Sequence, residues 1–112
     1  MFLVYNGPRG IAMDIKKNRN GTTVDLVVSG RLDTTTAPQL EAAIKEYSQG
    51  SKIMYLDLSG VEYMSSTGLR DILLAHKIMG GNGGKMVLKK PSDFCMQVLE
   101  ATSMNKLLNI ER

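Results

Sequence analysis

Hydrophobic and polar positions along the chain change period several times, and each change marks an element. Met13, Ile15 and Lys17 alternate with Asp14 and Lys16, the period of a half-buried strand. Asn20-Gly21 then marks a turn, and Val24, Leu26 and Val28 alternate with Thr23 and Asp25 as a second strand that Gly30 ends. An Asn-Gly pair between two alternating runs predicts a hairpin. After a threonine cluster the period lengthens. Leu40, Ala43, Ile44 and Tyr47 form a helical stripe closed by Gly50, and Thr36 with Gln39 fits a capping box, Pro38 being tolerated in the first turn. Ile53 to Leu58 is nearly unbroken in its apolar character, as a strand buried on both faces requires.

A loop is expected after Leu58, then a helix from about Ser66 to Met79 with Leu69, Ile72, Leu73 and Met79 at helical spacing. Gly80-Gly81-Asn82-Gly83-Gly84 ends it. Its spacing is one residue short of a phosphate-binding loop and no Ser or Thr follows Lys85, so it reads as a turn. Met86-Val87-Leu88 centres a short strand. Pro91 and Ser92 open a third helix with Phe94, Val98, Leu99 and Ala101 inward, and Leu107 to Ile110 is either a strand or a closing turn. Strands alternating with helices imply parallel neighbours joined by helical crossovers. The expected class is α/β: a sandwich with a mixed sheet of four to five strands, an N-terminal hairpin followed by βαβα units, and three to four helices. Residues 1–12 stand apart behind the turn cluster Asn6-Gly7-Pro8-Arg9-Gly10, as an extension or an edge strand, leaving 13–112 as the domain.

Composition narrows the function classes. At 112 residues the chain has room for one core. Its formal charge of +3 comes from scattered basic residues, and four Tyr and two Phe offer little to stack on bases, which argues against direct nucleic-acid binding. One Cys and one His cannot make a His/Cys metal cage. Cys95 reads as a buried reduced thiol, in keeping with a cytoplasmic protein. No apolar run approaches the length of a membrane span, and the Met1–Tyr5 start lacks the basic flank of a signal peptide.

The candidate chemistry lies between Asp57 and Leu69. Two serines and a threonine, Ser65, Ser66 and Thr67, fall where the expected helix has unpaired N–H groups and a positive dipole end. A hydroxyl there can cap the helix or carry a phosphate. His76, ten residues beyond Ser66, lies roughly 15 Å along the helix and is out of reach as a base. The serines also miss the Gly-x-Ser-x-Gly pattern, so catalysis is not expected. Asp57 at a strand end suggests an aspartyl phosphoacceptor, but the further carboxylates such a site needs for Mg²⁺ are missing after Val28, where Ser29-Gly30-Arg31 stands. Asp57 is expected to bond backbone N–H groups of its own turn. On the helical wheel Leu74 and Ile78 fall off the main core stripe, on the side of Thr67 and between the charges of Arg70, Lys77 and Asp71. They either pack under a neighbouring helix or form a docking patch beside the serines.

Asp57-Leu58-Ser59-Gly60-Val61 leading to Met64-Ser65-Ser66-Thr67-Gly68-Leu69 resembles the signature of the STAS domain of anti-sigma factor antagonists. Gly30-Arg31-Leu32-Asp33, Gly84-Lys85-Met86-Val87-Leu88 and the closing Ala101–Leu108 stretch are similar to it too, so the resemblance runs from Met13 to about Ile110. It implies a cytoplasmic partner switch. The unphosphorylated antagonist binds an anti-sigma factor that is also a serine kinase of the histidine-kinase-like ATPase class, and so frees a sigma factor. Phosphorylation of a loop serine breaks the complex and a PP2C-type phosphatase restores it. The resemblance places the acceptor at Ser66, with Ser65 as second choice, and sets the Asp33 loop beside the contact surface. Together with the helical wheel, the expected partner surface is Asp33, Ser65, Ser66, Thr67, Gly68, Arg70, Leu74 and Ile78. ATP and Mg²⁺ belong to the kinase, leaving this chain without a cofactor. The family's usual aspartate before the acceptor is here Ser65. A STAS adaptor serving another output, a phosphatase, secretion or stress complex, is the alternative reading.

Overall fold

The computed structural model of the chain describes residues 13–112, so the expectation for residues 1–12 lies outside the described residues. Two strands, β1 (Met13–Asn20) and β2 (Thr23–Leu32), form the antiparallel hairpin. Asn20 pairs with Thr23, which puts Gly21 and Thr22 at the tip, and Gly21 takes a φ of +65° that a side chain would resist. Helix α1 (Ala37–Ser48) leads to β3 (Ile53–Met64), α2 (Ser66–Gly81) to β4 (Lys85–Lys89), and α3 (Asp93–Ala101) through a 3₁₀ turn at Met104–Lys106 to β5 (Asn109–Glu111). The sheet order is β1-β2-β3-β4-β5, and every pair after the hairpin is parallel. The mixed five-stranded α/β sheet of the expectation is present, and the ambiguous C-terminal run resolves into a short parallel edge strand.

One side of the sheet carries the core. Val24, Leu26 and Val28 of β2, Met54, Leu56 and Leu58 of β3 and Met86 and Leu88 of β4 are fully buried, packed with Leu40 and Ile44 of α1 and Ile72 and Met79 of α2. In β2 and the helices these are the alternating and stripe positions, whose burial fixes the register. β3, expected to be buried on both faces, buries Met54, Leu56 and Leu58 on one face and leaves Ile53, Tyr55 and Asp57 half-buried on the other. Cys95 is buried with Leu99 beneath α3, whereas Ala101 is exposed, not inward, because α3 ends there and the chain turns out to Thr102.

Three local expectations are corrected. The stretch after Leu58 is not a loop: β3 continues to Met64, and Gly60, Val61, Tyr63 and Met64 pair with Ser29, Gly30, Arg31 and Leu32. Register shifts at Val27/Ser29 and Gly30/Arg31 throw the buried positions of β3 from 56 and 58 to 61 and 64. That break in alternation mimics a loop in the sequence. For the same reason β2 runs past Gly30 to Leu32. Finally, Thr36 and Gln39 form no capping box. The Thr36 hydroxyl turns back, donating to the Arg31 carbonyl at 2.7 Å and accepting from the Asp33 N–H at 2.9 Å. Asp33 orders the turn ahead of α1, its Oδ1 accepting from the N–H groups of Thr35 at 3.0 Å and Thr36 at 3.2 Å, and α1 itself has no side-chain cap.

Candidate functional site

β2 and β3 end side by side, at Leu32 and Met64, and each hands its chain to a helix. Two hydroxyl-rich segments therefore meet at the carboxyl edge of the parallel strands, the usual place for a site in such sheets. The Ser65 N–H donates to the Leu32 carbonyl at 2.9 Å, fixing the start of α2 against the end of β2. Thr34 and Thr67 bring their hydroxyls to 3.4 Å of each other across the two segments. Gly68 is what allows this approach: a Cβ there would lie 2.8 Å from the Leu32 carbonyl oxygen and 2.6 Å from its Cγ.

The two serines have different environments. Ser65 is the N-cap, in extended conformation, its hydroxyl accepting from the Gly68 N–H at 3.3 Å. Ser66 is the first residue of α2, exposed, one position into the field of the helix N-terminus. Beside them Asp33 is held in a fixed pose. The Thr35 hydroxyl donates to it at 2.8 Å, and that bond, with burial opposing and the Thr35 and Thr36 N–H groups adding, holds its carboxyl below the ordinary range. Its other oxygen lies 3.6 Å from Arg31 Nε, and the Arg31 guanidinium stacks 4.3 Å over the Tyr63 ring, which packs against Phe94 with centroids 5.4 Å apart.

The remaining candidates divide by burial. Arg70 is exposed and Thr67 half-buried beside Ser66. Leu74 is half-buried without joining the core, while Ile78 packs against the core and Gly68 is buried beneath the site. Gly68 thus acts by position. Asp57 accepts from the Ser59 N–H at 2.9 Å and hydroxyl at 2.7 Å, the local backbone bonding expected of it, made within β3 and not at a turn. Among the described residues no group of three or more His, Cys, Asp or Glu side chains is placed to hold a metal ion. His76 lies half-buried on α2, well along the helix from Ser66. A cavity of about 530 Å³ opens at the opposite ends of α1 and α2, between Lys45, Ser48, Lys52 and Asn82, and takes no part in this site. No helix of the described residues is long and apolar enough to cross a membrane.

Thr34, Arg31 and Tyr63 were not singled out by the sequence. Thr34 lay within the threonine cluster, but its contact with Thr67 spans 33 residues. The Arg31–Tyr63 stack depends on a register that the bulges of β3 shift, and no local pattern encodes it.

A hairpin-led mixed sheet with crossover helices, carrying a hydroxyl cluster where two parallel strands meet their helices, defines a small α/β domain. The chain belongs to the STAS domain family, whose model matches residues 14–112. Among curated proteins it is similar to an anti-sigma-B factor antagonist of Listeria monocytogenes, 30% identical over 102 residues that cover 90% of this chain and 89% of that relative. Among solved structures it superposes on an anti-sigma factor antagonist from Mycobacterium paratuberculosis with a TM-score of 0.79 at 23% identity, covering 88% of this chain and 85% of that one. The Bacillus cell fate determinant SpoIIAA matches in its phosphorylated form with a TM-score of 0.71 at 17% identity, covering 88% of this chain and 92% of its own. These structural likenesses establish the fold.

Proposed function

We propose that this protein is an anti-sigma factor antagonist switched by phosphorylation of Ser66. In this reading the unphosphorylated chain binds an anti-sigma factor that is also a serine kinase of the histidine-kinase-like ATPase class, and a sigma factor is released in the cytoplasm. A PP2C-type phosphatase reverses the modification. The contact surface is built from Asp33, Ser65, Ser66, Thr67, Arg70 and Leu74, with Gly68 and Ile78 supporting it from beneath.

The observation that carries the proposal is the division of labour between the serines. Ser65 caps α2 by accepting the Gly68 N–H, so the exposed Ser66 hydroxyl is left for chemistry. A phosphate there brings a charge of about −2. The helix N-terminus favours that charge by about 0.3–1 kcal/mol, so the fold tolerates it. A partner pressed against the same surface must desolvate a new dianion, so the complex does not. The name of the Listeria relative supports the partner class. The site works by recognition: it offers an acceptor hydroxyl and leaves the transfer chemistry to the kinase.

The test is incubation of the chain with its cognate kinase and ATP. One phosphate should be added, stable to acid as a phosphoserine is, and absent in Ser66→Ala. Ser66→Asp should weaken kinase binding while leaving the melting temperature nearly unchanged. Equal binding by Ser66→Ala and Ser66→Asp would remove the switch and leave a constitutive STAS adaptor. An acid-stable, base-labile label that survives Ser66→Ala and vanishes in Ser65→Ala would move the acceptor by one residue.

A further inference from the structure

Asp71 is out of place. It lies on α2, the helix that packs against α1, within the field of Glu41 and Lys45 of α1, and it is only 4% exposed. Its Oδ2 is buried and finds no hydrogen-bond partner among the described residues. Buried carboxylates are ordinarily paired, because removing an ion from water costs far more than burying an uncharged polar group. The charged groups bearing on it are few. Glu41 on α1 adds a second negative charge and is itself held by Lys45, 2.8 Å away on the same helix. Lys45 and, on α2, Arg70 act in the opposite direction. Burial first and Glu41 second push the Asp71 carboxyl up to about 6.

The position gives this charge leverage. α1 and α2 each start at one of the two segments of the hydroxyl cluster, and the Thr34–Thr67 contact bridges those segments. Asp71 stands four residues beyond Thr67, one turn into the same helix. Asp33 and Thr34 lead into α1 and Ser66 opens α2, so the spacing of the two helices near Asp71 bears on how these residues stand relative to each other.

We propose that Asp71 is a proton-operated spacer between α1 and α2. Protonated, it lets the helices close and fixes the two hydroxyl segments against each other. Ionised, its unpaired oxygen draws water or a cation into the seam and loosens them. Mild acidification therefore rigidifies the hydroxyl surface, whether or not Ser66 is phosphorylated.

The sign follows from linkage. A carboxyl whose folded-state value lies above its ordinary 3.8 favours the folded state most fully below that value. Its contribution falls as pH rises from there to about 6 and is constant above. The experiment is an NMR titration of the full chain between pH 4 and pH 8, following the side-chain carboxyl carbons and the backbone amides of both helices. The expected result is an Asp71 midpoint near 6, with amides of α1 around Glu41 and of Thr34 inflecting at the same midpoint. In parallel, Asp71→Asn should melt with the wild type near pH 4 and above it at pH 7.5, the gap opening across that window. An Asp71 midpoint at the ordinary carboxyl value would overturn the proposal. So would an elevated midpoint with α1 amides that do not follow it, since the charge would then be buried but would move nothing.

Discussion

The close approach at Gly68 sets the geometry of the hydroxyl site, and Gly68→Ala tests it. Two effects of known size compete. Replacing a glycine inside a helix by alanine normally stabilises the protein by about 0.5–1 kcal/mol, because alanine loses less backbone freedom on folding. Against this, the new Cβ would sit 2.8 Å from the Leu32 carbonyl oxygen, 2.6 Å from Leu32 Cγ and 3.1 Å from its Cδ2. The carbonyl cannot step aside freely, since it accepts the Ser65 N–H at 2.9 Å. Overpacking of this kind costs about 1–3 kcal/mol. The clash outweighs the propensity, and a net loss of about 1–2 kcal/mol should lower the melting temperature by roughly 4–8 °C for a domain of this size. Gly80, in the last turn of the same helix, is the internal control. A Cβ there meets nothing within 4 Å. Gly80→Ala should therefore raise the melting temperature by about 2–4 °C. Calorimetry of both variants reads the two signs directly. If Gly68→Ala melts at or above the wild type, the helix start is not seated on Leu32 as described and the account of the site fails with it.

The capping roles of the two serines separate in the same way. Ser65→Ala should cost about 1 kcal/mol in denaturant unfolding, by orphaning the Gly68 N–H, while Ser66→Ala should stay within about 0.5 kcal/mol of the wild type. The reverse order would exchange the cap and the exposed hydroxyl. Thr36→Val keeps the shape of a side chain that is 6% exposed but removes partners from the Asp33 N–H and the Arg31 carbonyl. A loss of about 1–3 kcal/mol is expected, and an unchanged denaturation midpoint would mean that the turn before α1 does not depend on that hydroxyl.

Periodicity determined most of the architecture. The alternation in Val24, Leu26 and Val28 and the stripe of Leu40, Ala43 and Ile44 are local facts, because strands and helices expose every second or every third to fourth side chain to the same neighbour. Ser65 and Ser66 were legible as cap and first turn for a similar reason: a helix N-terminus has its own chemistry wherever it occurs. The bulged half of β3 was not legible. Its buried positions obey a register set by β2, some thirty residues upstream, and only pairing between the strands turns Ser59 to Met64 from an apparent loop into a strand. The same holds for the Thr34–Thr67 contact, for the Arg31 guanidinium over Tyr63, and above all for Asp71. In the sequence Asp71 is one more charge on a helix flank. Only tertiary packing takes its carboxylate out of water, and no nearest-neighbour pattern along a chain reports what the rest of the fold will cover.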